Sequence, residues 1–127
     1  MGDFIAYLDT SEVRPGKLEE LKTAMAELAR FVELNEPRII NYAVYFSEDG
    51  AMMSVLHFHP DVASLEFHLQ VAGSQFPPIA PLIHMQKIEL FGRPGDDLVD
   101  QLKAKARLLG TGKVVIRDLH AGFAREL

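Results

Sequence analysis

The sequence contains no cysteine. Disulfides, thiolate metal sites, iron–sulfur clusters and cysteine nucleophiles are excluded together. Tryptophan is missing as well. There is no long apolar run: the longest, Ile79 to Ile83, contains a proline and is too short to span a bilayer. Nor is there an excess of positive charge. Thirteen basic residues stand against 18 acidic ones, a formal net charge of −5, which argues against a free-standing nucleic-acid binder. No G-x-S-x-G elbow surrounds any serine, and Gly92-Arg93-Pro94-Gly95 reads as a turn, not a phosphate loop. The start, Met1-Gly2-Asp3-Phe4, has neither a basic nor an apolar region, so no signal peptide is expected. The expectation is a cytoplasmic protein that binds neither nucleic acid nor membrane.

What is present is an ordinary globular composition: 48% hydrophobic and 24% charged over 127 residues, enough for one domain with a real core. Turn signals at Arg14-Pro15-Gly16, Asn35-Glu36-Pro37, Glu48-Asp49-Gly50, His59-Pro60-Asp61 and Phe76-Pro77-Pro78 cut the chain into short elements. Asp3 to Glu12 reads as a strand. Lys17 to Leu34 reads as a helix, with Leu18, Leu21, Met25, Leu28 and Val32 on one stripe. Arg38 to Phe46 and Ala51 to His59 read as a hairpin turning at Gly50. Asp61 can cap a second helix, Val62 to Val71, and His84 to Phe91 is a fourth strand. The order strand, helix, strand, strand, helix, strand predicts an α+β, ferredoxin-like split βαβ fold over residues 1–92, with a four-stranded antiparallel sheet.

Residues 93–127 form an extension within the same single domain. Asp96 to Leu109 predicts a third helix, with acids at its start and Lys103, Lys105 and Arg107 at its end as the helix dipole favours, these charges being read as solvated. Lys113 to Phe123 predicts a fifth strand, which should close a sheet edge or bind across a dimer. The first three strands are apolar on both faces, whereas two helices cover only one face of such a sheet. A homodimer is therefore expected.

Three segments resemble the antibiotic biosynthesis monooxygenase-like family, a branch of the dimeric α+β barrel proteins. They are Val13-Arg14-Pro15-Gly16-Lys17, Asn41-Tyr42-Ala43-Val44-Tyr45, and Ala63-Ser64-Leu65-Glu66-Phe67-His68-Leu69 followed by Phe76. The resemblance covers Val13 to about Ile83 and implies a homodimer with facing sheets and a pocket between sheet and helices. It also implies cofactor-independent oxygenation of a small aromatic, quinol-like or polyketide-like substrate. Where that family often carries Trp, this sequence has His59. The haem-degrading relatives would want an axial histidine where Pro77 stands, so no haem, and no cofactor at all, is expected.

The residues that could carry chemistry cluster on the third strand. His57 and His59 are two apart and share a face with Met53 and Val55. Neutral imidazole suits general-base work near neutral pH, so His59 and His57 are the candidate catalytic residues. Asn41, Tyr42, Tyr45, Met53, Val55 and His68 are the candidate substrate-binding residues around a small aromatic or apolar ligand. Two other readings stand beside this one. The same fold could be a non-catalytic small-molecule-binding or dimerisation module. Alternatively, His57 and His59 could ligate a metal with His68, His84 or Asp9, although no metal-binding spacing motif is present.

Overall fold

The computed structural model describes residues 4–125. Asp3, the expected first residue of the opening strand, lies outside them. The elements run β1 (Ile5–Val13), α1 (Leu18–Asn35), β2 (Asn41–Phe46), β3 (Met52–His59), α2 (Val62–Ala72), two 3-10 turns (Gly73–Gln75 and Pro77–Leu82), β4 (Ile83–Phe91), α3 (Asp96–Leu109) and β5 (Val114–Arg117). The sheet order is β2-β3-β1-β4-β5. The first four strands pair antiparallel and β5 joins β4 in parallel. This is the expected α+β, ferredoxin-like body, with the sheet extended to five mixed strands.

Each element follows from its local sequence. In α1 the spacing of Leu21, Met25, Leu28 and Val32 puts all four on one buried stripe. The β2–β3 turn is made by Gly50, whose positive φ of 73° relieves the strain a side chain would meet there. Asp61 caps α2 by accepting a hydrogen bond from the Ser64 amide. Along β1, Ile5, Tyr7, Asp9 and Ser11 point inward, while Ala6, Leu8 and Thr10 point to the other face and are only half-buried. A register shift against β4 pairs Thr10 with Lys87 but Ser11 with Met85. This bulge keeps Met85 and Ile88, three apart, both buried.

All three helices pack on the inward face. The row formed by β1, β3 and β4 supplies Ile5, Tyr7, Met53, Val55, Met85, Ile88 and Leu90 to the core, and α3 adds Leu98, Leu102, Ala106 and Leu109. The opposite face carries Leu8, Leu56 and Phe58 half-buried, and among the described residues no helix lies over them.

The tail closes the sheet edge with its own chain, one of its two expected placements. Its strand is shorter than expected. Lys113 to Phe123 contains only the four residues of β5, and Leu119 and Phe123 beyond it are exposed. Asp118 and His120 break the apolar pattern there, and β5 has a partner on one side only. What fixes α3 and β5 in place is a close backbone approach. Gly110 forms a parallel bridge to Met85, and the Thr111 amide donates to the Met85 carbonyl at 2.9 Å. A Cβ at Gly110 would stand 1.9 Å from that carbonyl oxygen, and the next nearest atoms are also Met85 backbone, with no flexible side chain to yield.

Gly110→Ala should therefore cost about 2 kcal/mol or more of stability, at the upper part of the overpacking range. Gly73→Ala is the control, since nothing lies within 4 Å of a Cβ there. Urea unfolding of both variants checks this, and equal midpoints would refute the tight approach.

Candidate functional site

The inward face of the sheet should be apolar throughout, yet its centre is polar. Cross-strand register puts Tyr7, His57 and Tyr42 in one line across β1, β3 and β2, and places His59 opposite Ile5. Helix α2 lays Ser64 and His68 over them. Glu36, just past the end of α1, and Lys105, from the middle of α3, complete the group. Tyr7, Asp9, Glu36, His57, His59, Ser64, His68 and Lys105 are all buried.

Their hydrogen bonds form three linked strings. Lys105 Nζ donates to the Tyr7 hydroxyl at 2.8 Å, and that hydroxyl donates to Asp9 Oδ2 at 2.6 Å. His57 Nδ1 and His59 Nε2 are 2.7 Å apart, and His59 Nδ1 is 2.7 Å from Ser64 Oγ. His68 Nδ1 lies 2.9 Å from both oxygens of Glu36. The rings of Tyr7 and His57 stack at 4.0 Å, and His57 lies 4.7 Å from His68, so the strings share one packed centre. The Lys105 ammonium also stands over the rings of Tyr7 and Phe76, at 4.7 and 4.3 Å.

Burial sets the protonation of the whole group, because it disfavours every charged form. It drives His57 well below the usual imidazole range, with the neighbouring histidines adding to it. It pushes His59 and His68 down to about 3, with His68 adding to the shift at His59 and Lys105 to both. All three imidazoles are therefore neutral at pH 7. Burial raises Asp9, against the opposing pull of Lys105 and the Tyr7 hydroxyl. It raises Glu36 to about 7, with Lys105 again opposing. It lowers Lys105 to about 8, against the pull of Asp9 and Glu36. Tyr7 and Tyr42 are raised, first by burial and then by Asp9. Four buried polar atoms have no partner among the described residues: Asp9 Oδ1, Ser11 Oγ, His57 Nε2 and His68 Nε2. Such atoms are uncommon in a well-packed interior.

A cavity of about 20 Å³ lies between the sheet and the helices, room for roughly one water. Asp9, Tyr42 and Lys105 give its wall three polar residues, and Met25, Met53 and Phe76 are among the apolar ones.

The sequence candidates divide over this geometry. Tyr42, Met53 and Val55 line the cavity. His57, His59 and His68 belong to the polar group but stand behind the cavity wall. Asn41 and Tyr45 do not join them. Tyr45 pairs with Ser54 on the other face and is exposed, while Asn41 accepts from the Phe58 amide at 2.9 Å. Both point away because residues alternate faces along β2, and Tyr42 takes the inward position. Among the described residues no group of three His, Asp or Glu side chains is arranged to hold a metal ion. His57 and His59 turn nitrogens toward each other, which takes them from a common ligand. Lys105 is a correction: it is buried, not a solvated helix charge. Its spacing from Leu98, Leu102 and Leu109 puts it in the middle of the α3 stripe, the one signal that could have found it. Tyr7, Glu36 and Ser64 were also missed as site residues, and Asp9 was considered only as a metal ligand.

No family model and no curated protein matches this sequence. Solved structures do. The structure of MupZ from Pseudomonas fluorescens is 19% identical with a TM-score of 0.76, covering 97% of this chain and 95% of that one. A putative antibiotic biosynthesis monooxygenase from Caulobacter crescentus is 22% identical with a TM-score of 0.63, covering 70% of this chain and 88% of its own. SnoaB, a cofactor-independent oxygenase from Streptomyces nogalater, is 15% identical with a TM-score of 0.62, covering 74% and 96%. The MupZ match takes in nearly the whole chain, whereas the other two leave out a share the size of the C-terminal extension. The chain shares its ferredoxin-like α+β fold with these structures.

Proposed function

We propose that this protein is a small-molecule enzyme of the cofactor-independent oxygenase type, acting on a small phenolic, quinol-like or polyketide-like aromatic. The observation that carries this reading is the free carboxylate oxygen of Asp9 at a cavity between sheet and helices. Direct reaction of such a substrate with O₂ begins with its deprotonation, because the anion gives up an electron far more readily than the neutral molecule. Oxidising a ring-flanked CH₂ to C=O then places one oxygen atom in the product and the other in water, and the substrate supplies all the electrons. The protein's task is to remove the proton and hold the anion away from bulk water.

Asp9, whose affinity for protons is raised by burial, is the proton acceptor at the cavity wall. His57 and His59 back the site through the Tyr7 ring, and with Ser64 they form a hydrogen-bonded path leading away from it. Tyr42, Met53 and Val55 bear on the ring of the substrate. The substrate is larger than the cavity, so it enters by displacing the flexible methionines that line it, Met25, Met53 and Met85. Residues 1–127 act as one domain. The working unit is a homodimer joined through the uncovered sheet face, where Leu8, Leu56 and Phe58 would otherwise meet water. A second reading, a non-catalytic binding or dimerisation module, draws on the smallness of the cavity.

Oxygen-electrode measurements with an anthrone or a quinol separate the two readings. The expected result is O₂ uptake without added cofactor, lowered about 100-fold or more in Asp9→Asn, the usual scale for losing a general base. Uptake that is absent, or unchanged in the variant, removes the enzymatic assignment.

Light scattering should give twice the 14.2 kDa chain mass, and Leu56→Asp should give the monomer. A monomeric parent protein refutes the dimer.

Glu36 has a stability signature of its own. Its proton is held more tightly in the folded state, up to about pH 7, than its ordinary value of 4.5 allows. Its contribution to stability is therefore fully present below pH 4.5 and is lost as pH rises through 7. Glu36→Gln cannot ionise, so it should gain on the parent protein between those values and hold a constant advantage above them. Urea unfolding across that pH range checks this, and a difference that does not change with pH refutes it.

A further inference from the structure

The position of Lys105 is costly. Its neighbours on the stripe, Leu98, Leu102, Ala106 and Leu109, are buried and apolar, and an apolar residue would serve packing as well there. Removing an ammonium from water costs several kcal/mol unless its protons find partners. Lys105 has three protons to donate, and among the described residues it makes one hydrogen bond, to Tyr7. That hydroxyl donates its own hydrogen bond to Asp9 Oδ2, and Oδ1 has no partner among the described residues. Lys105 and Asp9 line the same cavity. Its wall thus offers cationic donors that, beyond Tyr7, meet only the faces of aromatic rings, and a carboxylate oxygen with no partner among the described residues, held together through one tyrosine.

We propose that Lys105 holds the oxygen of the substrate anion, and that the site selects a neutral molecule with an acidic hydroxyl, a phenol or an enol, over a carboxylate. This rests on the oxygenase reading above and gives the C-terminal helix a direct part in it. The hydroxyl proton goes to Asp9, and the oxygen keeps the electron pair of the broken O–H bond. One negative charge moves from Asp9 to the ligand while the charge of the cavity stays the same. A neutral hydroxyl satisfies both walls: its hydrogen meets Oδ1 and its lone pair meets Nζ. A ketone without an enol leaves Asp9 unpartnered, and a carboxylate brings a second negative charge against it. Fixed donors aimed at a developing oxyanion in a dry site are an effective form of stabilisation.

4-Nitrophenol is a suitable probe, because its anion is yellow and its neutral form is not. It would be titrated into the full-length protein at a pH below its own transition, with bound probe measured by equilibrium dialysis and its ionisation by visible absorption. The expected result is binding as the phenolate, with 4-nitrobenzoate a poor competitor. Lys105→Met, close in shape but uncharged, should still bind the phenol while the bound phenolate fraction falls at least about tenfold, equivalent to one pKa unit. An unchanged phenolate fraction in the variant, or equal competition by the benzoate, overturns the role of Lys105 and leaves the oxygenase reading standing. Failure of the unaltered protein to bind the phenol at all overturns both. If Lys105→Met does not fold, nitrogen NMR of the lysine amino groups in the unaltered protein decides. The Lys105 signal should move on adding the phenol, and a signal that stays in place overturns the proposal.

Discussion

The hydrogen-bonded string from Lys105 through Tyr7 to Asp9 is the interaction on which the interior depends. It puts a cation, a phenol and a carboxyl in a space that the surrounding leucines and methionines would otherwise fill. None of the three is tolerable there alone. Burial pulls Asp9 toward its neutral form and Lys105 toward its own, and each restrains the other. Tyr7 supplies the geometry, accepting from one and donating to the other within 2.8 Å. The string also ties β1 to α3, so the packing of the C-terminal helix and the protonation of the sheet centre are set together.

The histidines play the complementary part. Because burial keeps them neutral, they can share hydrogen bonds along a row without repelling one another, and the His57 ring stacks against both Tyr7 and Tyr42 as apolar surface. A neutral imidazole is both donor and acceptor, which lets the row run from His57 to Ser64 with no charge to solvate. Glu36 is placed differently, capping this region from the end of α1. Its proton sits near the point of balance at pH 7.

Much of the fold was legible because it is written in periodicity. The α1 stripe, the Gly50 hairpin and the Asp61 cap each depend on a few neighbouring residues. The tail strand was overextended because Leu119 and Phe123 continue its apolar character, while whether a strand persists depends on a pairing partner that sequence does not display. The site was legible only in part, for a related reason. His57 and His59 stood out as paired polar residues on an apolar strand. In β2 both faces are apolar, so nothing in its own residues says that Tyr42 looks inward and Tyr45 outward; the register against β3 decides that. Lys105 fitted a dipole argument well enough to hide its place on the buried stripe, and Glu36 looked like part of a turn.

The contact between Lys105 and Tyr7 joins residues 98 positions apart. Closing so long a loop is entropically expensive, so such contacts tend to form late. Until α3 docks, Asp9 and Tyr7 sit in the sheet without the Lys105 ammonium. During synthesis the ferredoxin-like body emerges first, yet its polar centre is incomplete until the helix that follows has left the ribosome. A chain cut short before α3 keeps every histidine of the cluster but lacks Lys105, the positive charge buried beside them.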